Sequence, residues 1–292
     1  MLCGVEWGSS PQGQRFFRHQ FSHEDISTVI TFSGDVEIGY DDLGAGDPIV
    51  FLHGFPHSRA LWAPQLNALV DRARCIAPDL RGFGESTAAP PFTMDQYADD
   101  VAALLDALHI ERAVICGLSM GGYVALAFWR RHRARVRGLV LMDTRAGADS
   151  AEARVKRNDM IALAHERGSS AVADAMITGM VGKSTRAKCP EVVDAVHRML
   201  ESAPVAGVAG GLAALRERED STATLGTIDV PVLVVVGEED VLTPPSEAAM
   251  LHAGIRGSTL EVIAGAGHVS NVERPAAVNH ILSEFLASLT LV

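Results

Sequence analysis

A serine between two glycines joins two segments with different hydrophobic patterns. The stretch Gly117-Leu118-Ser119-Met120-Gly121 has the form G-x-S-x-G; an apolar run at 114–116 precedes it and a helical pattern follows it. When this motif connects a strand to a helix, the serine adopts a strained backbone conformation and exposes its hydroxyl above the sheet. Small flanking residues are needed because the strand and the helix pass close together. We therefore interpret Ser119 as a candidate nucleophile rather than as a solvated turn residue.

A serine hydroxyl needs a base, and that base needs an acid to orient it. In enzymes that carry the serine on such a turn, the acid comes next along the chain and the histidine last. Glu238, Glu239 and Asp240 follow the strongest apolar run, at 232–236. We select Asp240 because it lies furthest past the strand and before Pro244-Pro245. Asp143 also ends an apolar run and stays open as the alternative acid, although structural hydrogen bonding is its plainer role.

The candidate base is His268. It follows the apolar run 260–263 on a loop that reads Ala264-Gly265-Ala266-Gly267-His268, and it is the one of eleven histidines with that setting late in the chain. A loop with this much glycine can carry an imidazole over the edge of the sheet. If the pKa of His268 is unperturbed, we expect activity to fall as the pH drops through about 6.5.

An oxyanion formed at Ser119 needs two hydrogen-bond donors. The backbone N–H of Met120 follows from the motif itself, and the second donor is expected from the loop after the apolar run 49–52. That loop reads His53-Gly54-Phe55-Pro56, and we assign the N–H of Phe55. His53 and His57 lie close together but lack a carboxylate at metal-binding spacing. We therefore predict no metal and no cofactor.

Short apolar runs alternate with helical patterns along most of the chain. We predict strands at 27–32, 36–40, 49–52, 74–77, 114–116, 139–142, 232–236 and 260–263. Apolar strands separated by helices indicate an α/β fold, with a mostly parallel sheet covered on both faces. A capping-box pattern, Thr93 to Gln96, predicts one of the helix starts. Between 146 and 226 the strand signals stop and weak helical stretches take over, which predicts a helical cap inserted into a core of 26–145 and 227–292, with residues 1–25 as an N-terminal extension.

The composition limits the classes of partner. With a net charge of −11 over 292 residues, the chain does not favour binding to nucleic acid or to anionic membrane surfaces. No run of about 18 apolar residues indicates a transmembrane helix, and the start lacks the pattern of a secretory signal. The four cysteines form no CxxC pair, and we expect them to be reduced. These observations predict a cytoplasmic protein; a homodimer is left open.

Five motifs in this order resemble the α/β-hydrolase superfamily. They are HGFP (53–56), DLRGFGES (79–86), GLSMGG (117–122), GEEDVLTPP (237–245) and GAGHVSNVERP (265–275). The resemblance implies an eight-stranded, mostly parallel sheet whose first strands are antiparallel, a cap, and Ser119, Asp240 and His268 as nucleophile, acid and base. The chain is most similar to small bacterial carboxylesterases and 3-oxoadipate enol-lactonase-like enzymes. Haloalkane dehalogenases and epoxide hydrolases have aspartate where Ser119 stands, which argues against both activities.

We therefore expect a carboxylesterase that works through an acyl-enzyme on small to medium, mainly uncharged esters. A lactonase or enol-lactonase, and a cofactor-free perhydrolase of the haloperoxidase type, are the alternatives. A non-catalytic receptor would have a damaged triad, and none is visible. Phe55, Met120 and Met142 are expected near the pocket floor, with Ile177, Met180 and Met199 above them, unless these methionines only fill the cap core. A carboxylated substrate would need a cation, for which Arg145 is the candidate.

Overall fold

The structure of the chain is a computed structural model that describes residues 28–31, 36–87 and 89–289. The predicted N-terminal extension, 1–25, lies outside the described residues. Within the described part, eight strands form one sheet: β1 (Thr28–Thr31), β2 (Glu37–Leu43), β3 (Pro48–Leu52), β4 (Arg74–Pro78), β5 (Ala113–Leu118), β6 (Val136–Met142), β7 (Val232–Gly237) and β8 (Thr259–Ile263). Each lies on one of the eight predicted apolar runs.

The strand order is β1-β2-β4-β3-β5-β6-β7-β8. The β1–β2 and β2–β4 pairs are antiparallel, and all other pairs are parallel. The prediction of a mostly parallel sheet with antiparallel first strands is confirmed. Because the parallel strands point the same way, the loops after β3, β5, β6, β7 and β8 meet at one edge, where open α/β sheets place their sites.

Helices cover both faces of the sheet. They are α1 (Ala63–Leu69), α2 (Met94–Ala107), α3 (Met120–His132), α9 (Pro245–Gly254), α10 (Ser270–Glu273) and α11 (Pro275–Leu289); the helices numbered between α3 and α9 lie between β6 and β7 and are given below. Successive residues of a strand point to opposite faces. Accordingly, Val50 and Leu52 join a core cluster with α2 and α3, whereas Ile49 and Phe51 join one with α1 and α11.

The N-cap predicted for α2 is present. The Thr93 hydroxyl accepts a hydrogen bond from the Gln96 backbone N–H at 3.1 Å. This bond satisfies one of the N–H groups that the first turn of a helix leaves without an intrahelical partner. The helix then presents Tyr97, Val101 and Leu105, all buried, to the sheet.

The segment between β6 and β7 is helical throughout. It contains α4 (Ala151–Met180), α5 (Lys183–Lys188), α6 (Pro190–Glu201), α7 (Val205–Glu217) and α8 (Thr222–Leu225). α4 is interrupted at Gly168, whose φ of 78° departs from helical geometry, so two shorter helices follow one another. α4 packs against α6 and α7. The inserted helical cap is therefore one of the confirmed features of the fold.

The structure also bears on the state of the cysteines and on the search for a membrane-spanning helix. Cys75 and Cys116 are buried free thiols, but Cys189 is disulfide-bonded, so the expectation of reduced cysteines is wrong there. Among the helices that the structure describes, none combines the length and apolar character needed to cross a bilayer.

Candidate active site

The turn between β5 and α3, residues 117–122, is called the serine elbow here. Ser119 stands at its tip with φ 54° and ψ −112°. The turn is possible because strand and helix almost touch: a Cβ atom on Gly117 would lie 2.1 Å from the carbonyl oxygen of Gly121, and one on Gly121 would lie 2.1 Å from that of Leu52. Any side chain there would clash with backbone. The two flanking glycines are thus required by packing.

The backbone of Ser119 is fixed by the neighbouring strand. Its N–H donates to the Met142 carbonyl at 2.9 Å, and the Thr144 hydroxyl donates to the Ser119 carbonyl at 2.8 Å. The Ser119 side chain stays half-buried, so it can still be reached from solvent. The predicted strained, accessible serine is what the structure shows.

Three side chains from distant parts of the sequence meet above this turn. His268 Nε2 lies 2.8 Å from Ser119 Oγ, and His268 Nδ1 lies 2.8 Å from Asp240 Oδ2. Because Asp240 is on the loop after β7 and His268 on the loop after β8, each comes from the carboxyl end of a strand. This triad of side chains can move a proton from the hydroxyl to the imidazole while the carboxylate holds the ring.

Asp240 is held by its own loop. Its Oδ1 accepts from the backbone N–H groups of Leu242 and Thr243 at 2.8 and 3.0 Å, and its Oδ2 accepts from the Thr243 hydroxyl at 2.7 Å. Burial alone would raise the pKa of Asp240, but the charge and hydrogen bond of His268 outweigh it and lower the pKa. Asp240 is therefore an anion at neutral pH.

The pKa of His268 departs from the unperturbed value expected from sequence. Burial by itself lowers it, but the charge and hydrogen bond of Asp240, followed by the charges of Asp143 and Glu273, outweigh burial and raise it above 6.5. The raised pKa means that these carboxylates stabilise the imidazolium that forms when the ring takes a proton from serine.

Asp143, the alternative acid, lies in the same region with different partners. Its Oδ1 accepts from the Gly237 N–H at 2.8 Å and its Oδ2 from the Ser270 hydroxyl at 2.6 Å. Burial, and then the charge of Asp240, raises the pKa of Asp143 well above its usual range. The residue connects the end of β7 to α10. The structure thus brings Asp240 to the imidazole and gives Asp143 the structural hydrogen bonds that were its plainer expectation.

The loop that carries the histidine, residues 264–274, is called the histidine loop. Glu273 is 5% exposed and bridges two backbone N–H groups: that of Gly267 at 2.8 Å and that of Gly182 at 2.9 Å. The His268 N–H donates to the carbonyl of Met180 at 3.0 Å. Since Met180 and Gly182 belong to the junction between α4 and α5, the helical insertion holds the histidine loop directly.

The loop after β3 lies against the elbow. A Cβ atom on Gly54 would be 3.3 Å from the Ser119 Cβ. Phe55 is buried, and its ring makes an edge contact with Phe83, with centroids 6.0 Å apart. Met120 is the first residue of α3, next to the hydroxyl. Met120 is therefore adjacent to Ser119 and Phe55 follows the glycine that lies against it, and the role of the two N–H groups as oxyanion donors stays a prediction.

Comparison with known proteins identifies the scaffold. The family described as alpha/beta hydrolase fold matches residues 47–275. The chain belongs to this α/β-hydrolase family. It is 32% identical over 249 residues to 3-oxoadipate enol-lactonase 2 of Acinetobacter baylyi, covering 84% of this chain and 91% of that one. Membership makes it a hydrolase, while the family by itself leaves the substrate open.

Two solved structures are also similar. A malate-bound thermophilic esterase from Thermogutta terrifontis has 39% identity and a TM-score of 0.87, covering 90% of this chain and 98% of that chain. The enol-lactonase from Burkholderia xenovorans LB400 has 30% identity and a TM-score of 0.83, covering 89% and 100%.

The methionine and isoleucine side chains predicted to line the substrate pocket differ from one another in burial and in contacts. Met142 is fully buried in the sheet, with its Sδ 3.9 Å from the Cys116 Sγ, and its place in the substrate pocket stays a prediction. Side-chain alternation sends Met142 into the core cluster of α1 and α11. Met180 is 2% exposed and contributes its carbonyl to the histidine loop, whereas Ile177 and Met199 are partly buried against the same cluster.

Arg145 is engaged with protein groups. It lies 2.9 Å from Asp149, a buried carboxylate that Arg157 and Arg218 also contact. These contacts tie the end of β6 to the start of the helical insertion. They favour a structural role over recognition of a substrate carboxylate.

Sequence reasoning missed the residues that position the base. Within the histidine loop, Glu273 bonds to Gly182 and Gly267 and Ser270 bonds to Asp143, while Thr243 bonds to Asp240; the roles of Glu273, Ser270 and Thr243 were not named from sequence. Glu273 and Ser270 lie in the quoted motif GAGHVSNVERP and Thr243 in GEEDVLTPP. The carboxylate of Glu273, close to His268 in its motif, was the available signal for a positioning residue. Its partner Gly182 could not be inferred, because it lies 91 positions away.

Proposed function

We propose that this α/β-hydrolase is a carboxylesterase that cleaves small to medium, uncharged esters through an acyl-enzyme. The observation that carries the proposal is the row Asp240–His268–Ser119, joined by two 2.8 Å contacts on a half-buried serine. Such a row activates a hydroxyl for attack on an acyl carbon. The similarity to an esterase of 39% identity supports the same reaction class.

The reaction proceeds in two halves. His268 takes the proton of Ser119 as the hydroxyl oxygen attacks the ester carbonyl, and the oxyanion is stabilised by the N–H groups of Phe55 and Met120. Each such donor contributes roughly 3 kcal/mol in comparable sites. His268 then returns the proton to the departing alcohol. In the second half, water attacks the acyl-enzyme, gives its proton to His268, and Ser119 regains it.

A lactonase is the second candidate, because the chain is similar to two enol-lactonases. Ring opening of a lactone uses the same nucleophile and base. A carboxylated enol-lactone would need a cation in the pocket, and the Arg145 side chain is bonded to Asp149. Uncharged esters and lactones are therefore the preferred substrates.

The test is a panel of p-nitrophenyl esters of rising acyl length, with lactones alongside. We expect a burst of p-nitrophenol with acetate, because deacylation follows a faster acylation, and we expect Ser119→Ala to lower kcat by about 10⁴-fold or more. An alanine variant with unchanged turnover contradicts the proposal. Peracetic acid formation from acetate and peroxide that outpaces ester hydrolysis would identify a perhydrolase instead.

We further propose that residues 146–226 form the cap over the site, on a core of 26–145 and 227–292. The contact between Met180 and His268 supports this division, because the helical segment reaches the site edge of the sheet. A cytoplasmic location stays a prediction from the sequence, and the oligomeric state stays open.

A further inference from the structure

His57 is a buried imidazole whose ring nitrogens lack a hydrogen-bond partner in the part of the chain that the structure describes. It is 2% exposed, and among the described residues no group hydrogen-bonds to its Nδ1 or its Nε2. The neighbouring His53 differs: its Nδ1 lies 2.9 Å from the Gly54 carbonyl, and its Nε2 accepts from the Leu80 N–H at 2.9 Å. Buried polar groups normally have partners, and an unpaired one calls for a functional or solvent partner. Two histidines of one loop thus have different roles, with His53 structural.

The position of His57 places it beside the candidate active site. The backbone N–H of His57 donates a hydrogen bond to the Gly54 carbonyl at 2.9 Å, and Gly54 lies against Ser119. Burial, followed by the nearby imidazoles of His53 and His268, lowers the pKa of His57 to about 3. The ring is therefore neutral at working pH and presents one N–H donor and one acceptor nitrogen.

A water molecule is the kind of partner that His57 lacks and that the proposed reaction needs. The second half of the proposed reaction requires a water that gives one hydrogen to His268. Its other hydrogen needs an acceptor. A neutral imidazole with a low pKa accepts a hydrogen bond from that hydrogen but does not take the proton, so it does not compete with His268 as the base. Internal waters typically bind buried polar groups that lack protein partners.

We propose that His57 is a positioning residue that binds the water which hydrolyses the acyl-enzyme; this inference rests on the proposed function. The water oxygen bonds to the acyl carbon while one of its protons passes to His268. The second hydrogen stays on the oxygen and is hydrogen-bonded to the acceptor nitrogen of His57. The bond from the acyl carbon to Ser119 Oγ then breaks, and the His268 proton goes to that oxygen. His57 remains neutral throughout.

Methanol provides a direct probe of this role. It carries the hydrogen that His268 takes but has a methyl group where water has its second hydrogen, so it cannot bond to His57 in the same way. With p-nitrophenyl acetate in dilute methanol, the ratio of methyl acetate to acetate reports the choice between the two nucleophiles. In His57→Leu we expect this ratio to rise about 3- to 10-fold, the effect of one lost hydrogen bond.

Burst kinetics provide the second measurement. In His57→Leu the acylation rate is expected to stay within about 2-fold of the unsubstituted enzyme, whereas steady-state turnover falls about 3- to 10-fold. A structural role for His57 would slow both phases together or leave both unchanged, and either result overturns the inference. The product ratio does not depend on the fraction of active enzyme. If His57→Leu does not fold, His57→Phe, which keeps a flat ring, carries the same test.

Tyr97→Phe is the matched control. The Tyr97 hydroxyl is also buried and lacks a hydrogen-bond partner among the described residues, but it lies on α2 and packs against Phe92. We expect the product ratio and both kinetic phases to stay unchanged in this variant. An equal change in Tyr97→Phe would assign the effect to general destabilisation and overturn the inference.

The failure of this inference can be told apart from that of the proposed function. An unsubstituted enzyme with a burst, together with an unchanged product ratio in the His57 variants, overturns only the role of His57. The absence of any acyl-enzyme in the unsubstituted protein overturns both.

Discussion

The serine elbow and the histidine loop supply two halves of one site, but they are held in different ways. The elbow is fixed by packing: Gly117 and Gly121 leave no space for a side chain, and Ser119 bonds to the neighbouring strand. The histidine loop is fixed by a buried carboxyl group: Glu273 accepts two N–H groups, one of them from the helical insertion. The nucleophile therefore depends on the sheet, and the base depends on buried carboxyl groups and on the insertion.

The largest expected effect concerns the acid that holds the base. Replacing Asp240 by asparagine removes the charge that orients His268, and we expect kcat to fall about 10⁴-fold. Asp143→Asn is the matched control, and its effect should be far smaller because Asp143 bonds to Gly237 and Ser270. Steady-state kinetics with p-nitrophenyl acetate measure both. A larger loss in Asp143→Asn would return Asp143 to the role of triad acid.

The next prediction tests packing at the elbow. In Gly121→Ala the new methyl group meets the Leu52 carbonyl, so the strand and the helix must move apart. We expect the free energy of unfolding to fall by about 2–3 kcal/mol, with loss of activity, as measured by urea denaturation. Gly226→Ala is the control, because a Cβ atom there has open space around it. Equal stability of the two variants would show that the elbow is not held by packing.

A third prediction tests the carboxyl group that holds the histidine loop. Glu273→Gln replaces one accepting oxygen by a donor that faces the N–H of Gly267 or Gly182. A small displacement of the base follows, and we expect kcat to fall about 10-fold while KM changes little. Glu239→Gln is the matched variant: the Glu239 carboxylate accepts hydrogen bonds from Ser184 in the first turn of α5 rather than from a backbone N–H of the histidine loop, so a smaller loss is expected. Equal losses would mean that the histidine loop does not depend on Glu273.

The smallest effect is a shift in pH dependence. The base works as the neutral imidazole, and its pKa is raised above 6.5 by Asp240 despite burial. Activity should therefore fall as the pH drops, with a midpoint in kcat/KM above 6.5. In Asp240→Asn, burial dominates and the midpoint of the residual activity should move to lower pH. A flat profile between pH 4 and 8 would contradict the role of His268.

The sequence predicted each feature that depends on neighbouring residues. The eight strands follow from short apolar runs, and the strained serine from its two glycines. The order of serine, acid and histidine, together with the rule that parallel strands end at one edge, predicted that Ser119, Asp240 and His268 come together. The strand and turn patterns each lie within about ten consecutive residues, so backbone geometry and burial alone produce them, whereas the meeting of the three side chains was predicted from the order of such local motifs.

Other features depended on which segments pack together. Asp143 and Asp240 both end a strand, and only the tertiary contacts assign the imidazole to Asp240. The packing of Met142 in a core cluster of the sheet likewise depends on the helices that cover that face. The raised pKa of His268 and the bridge from Glu273 to Gly182 arise between segments far apart in the chain. Electrostatic fields and long-range hydrogen bonds depend on distances in space, which a sequence does not contain, whereas strands, turns and caps depend on local spacing, which it does.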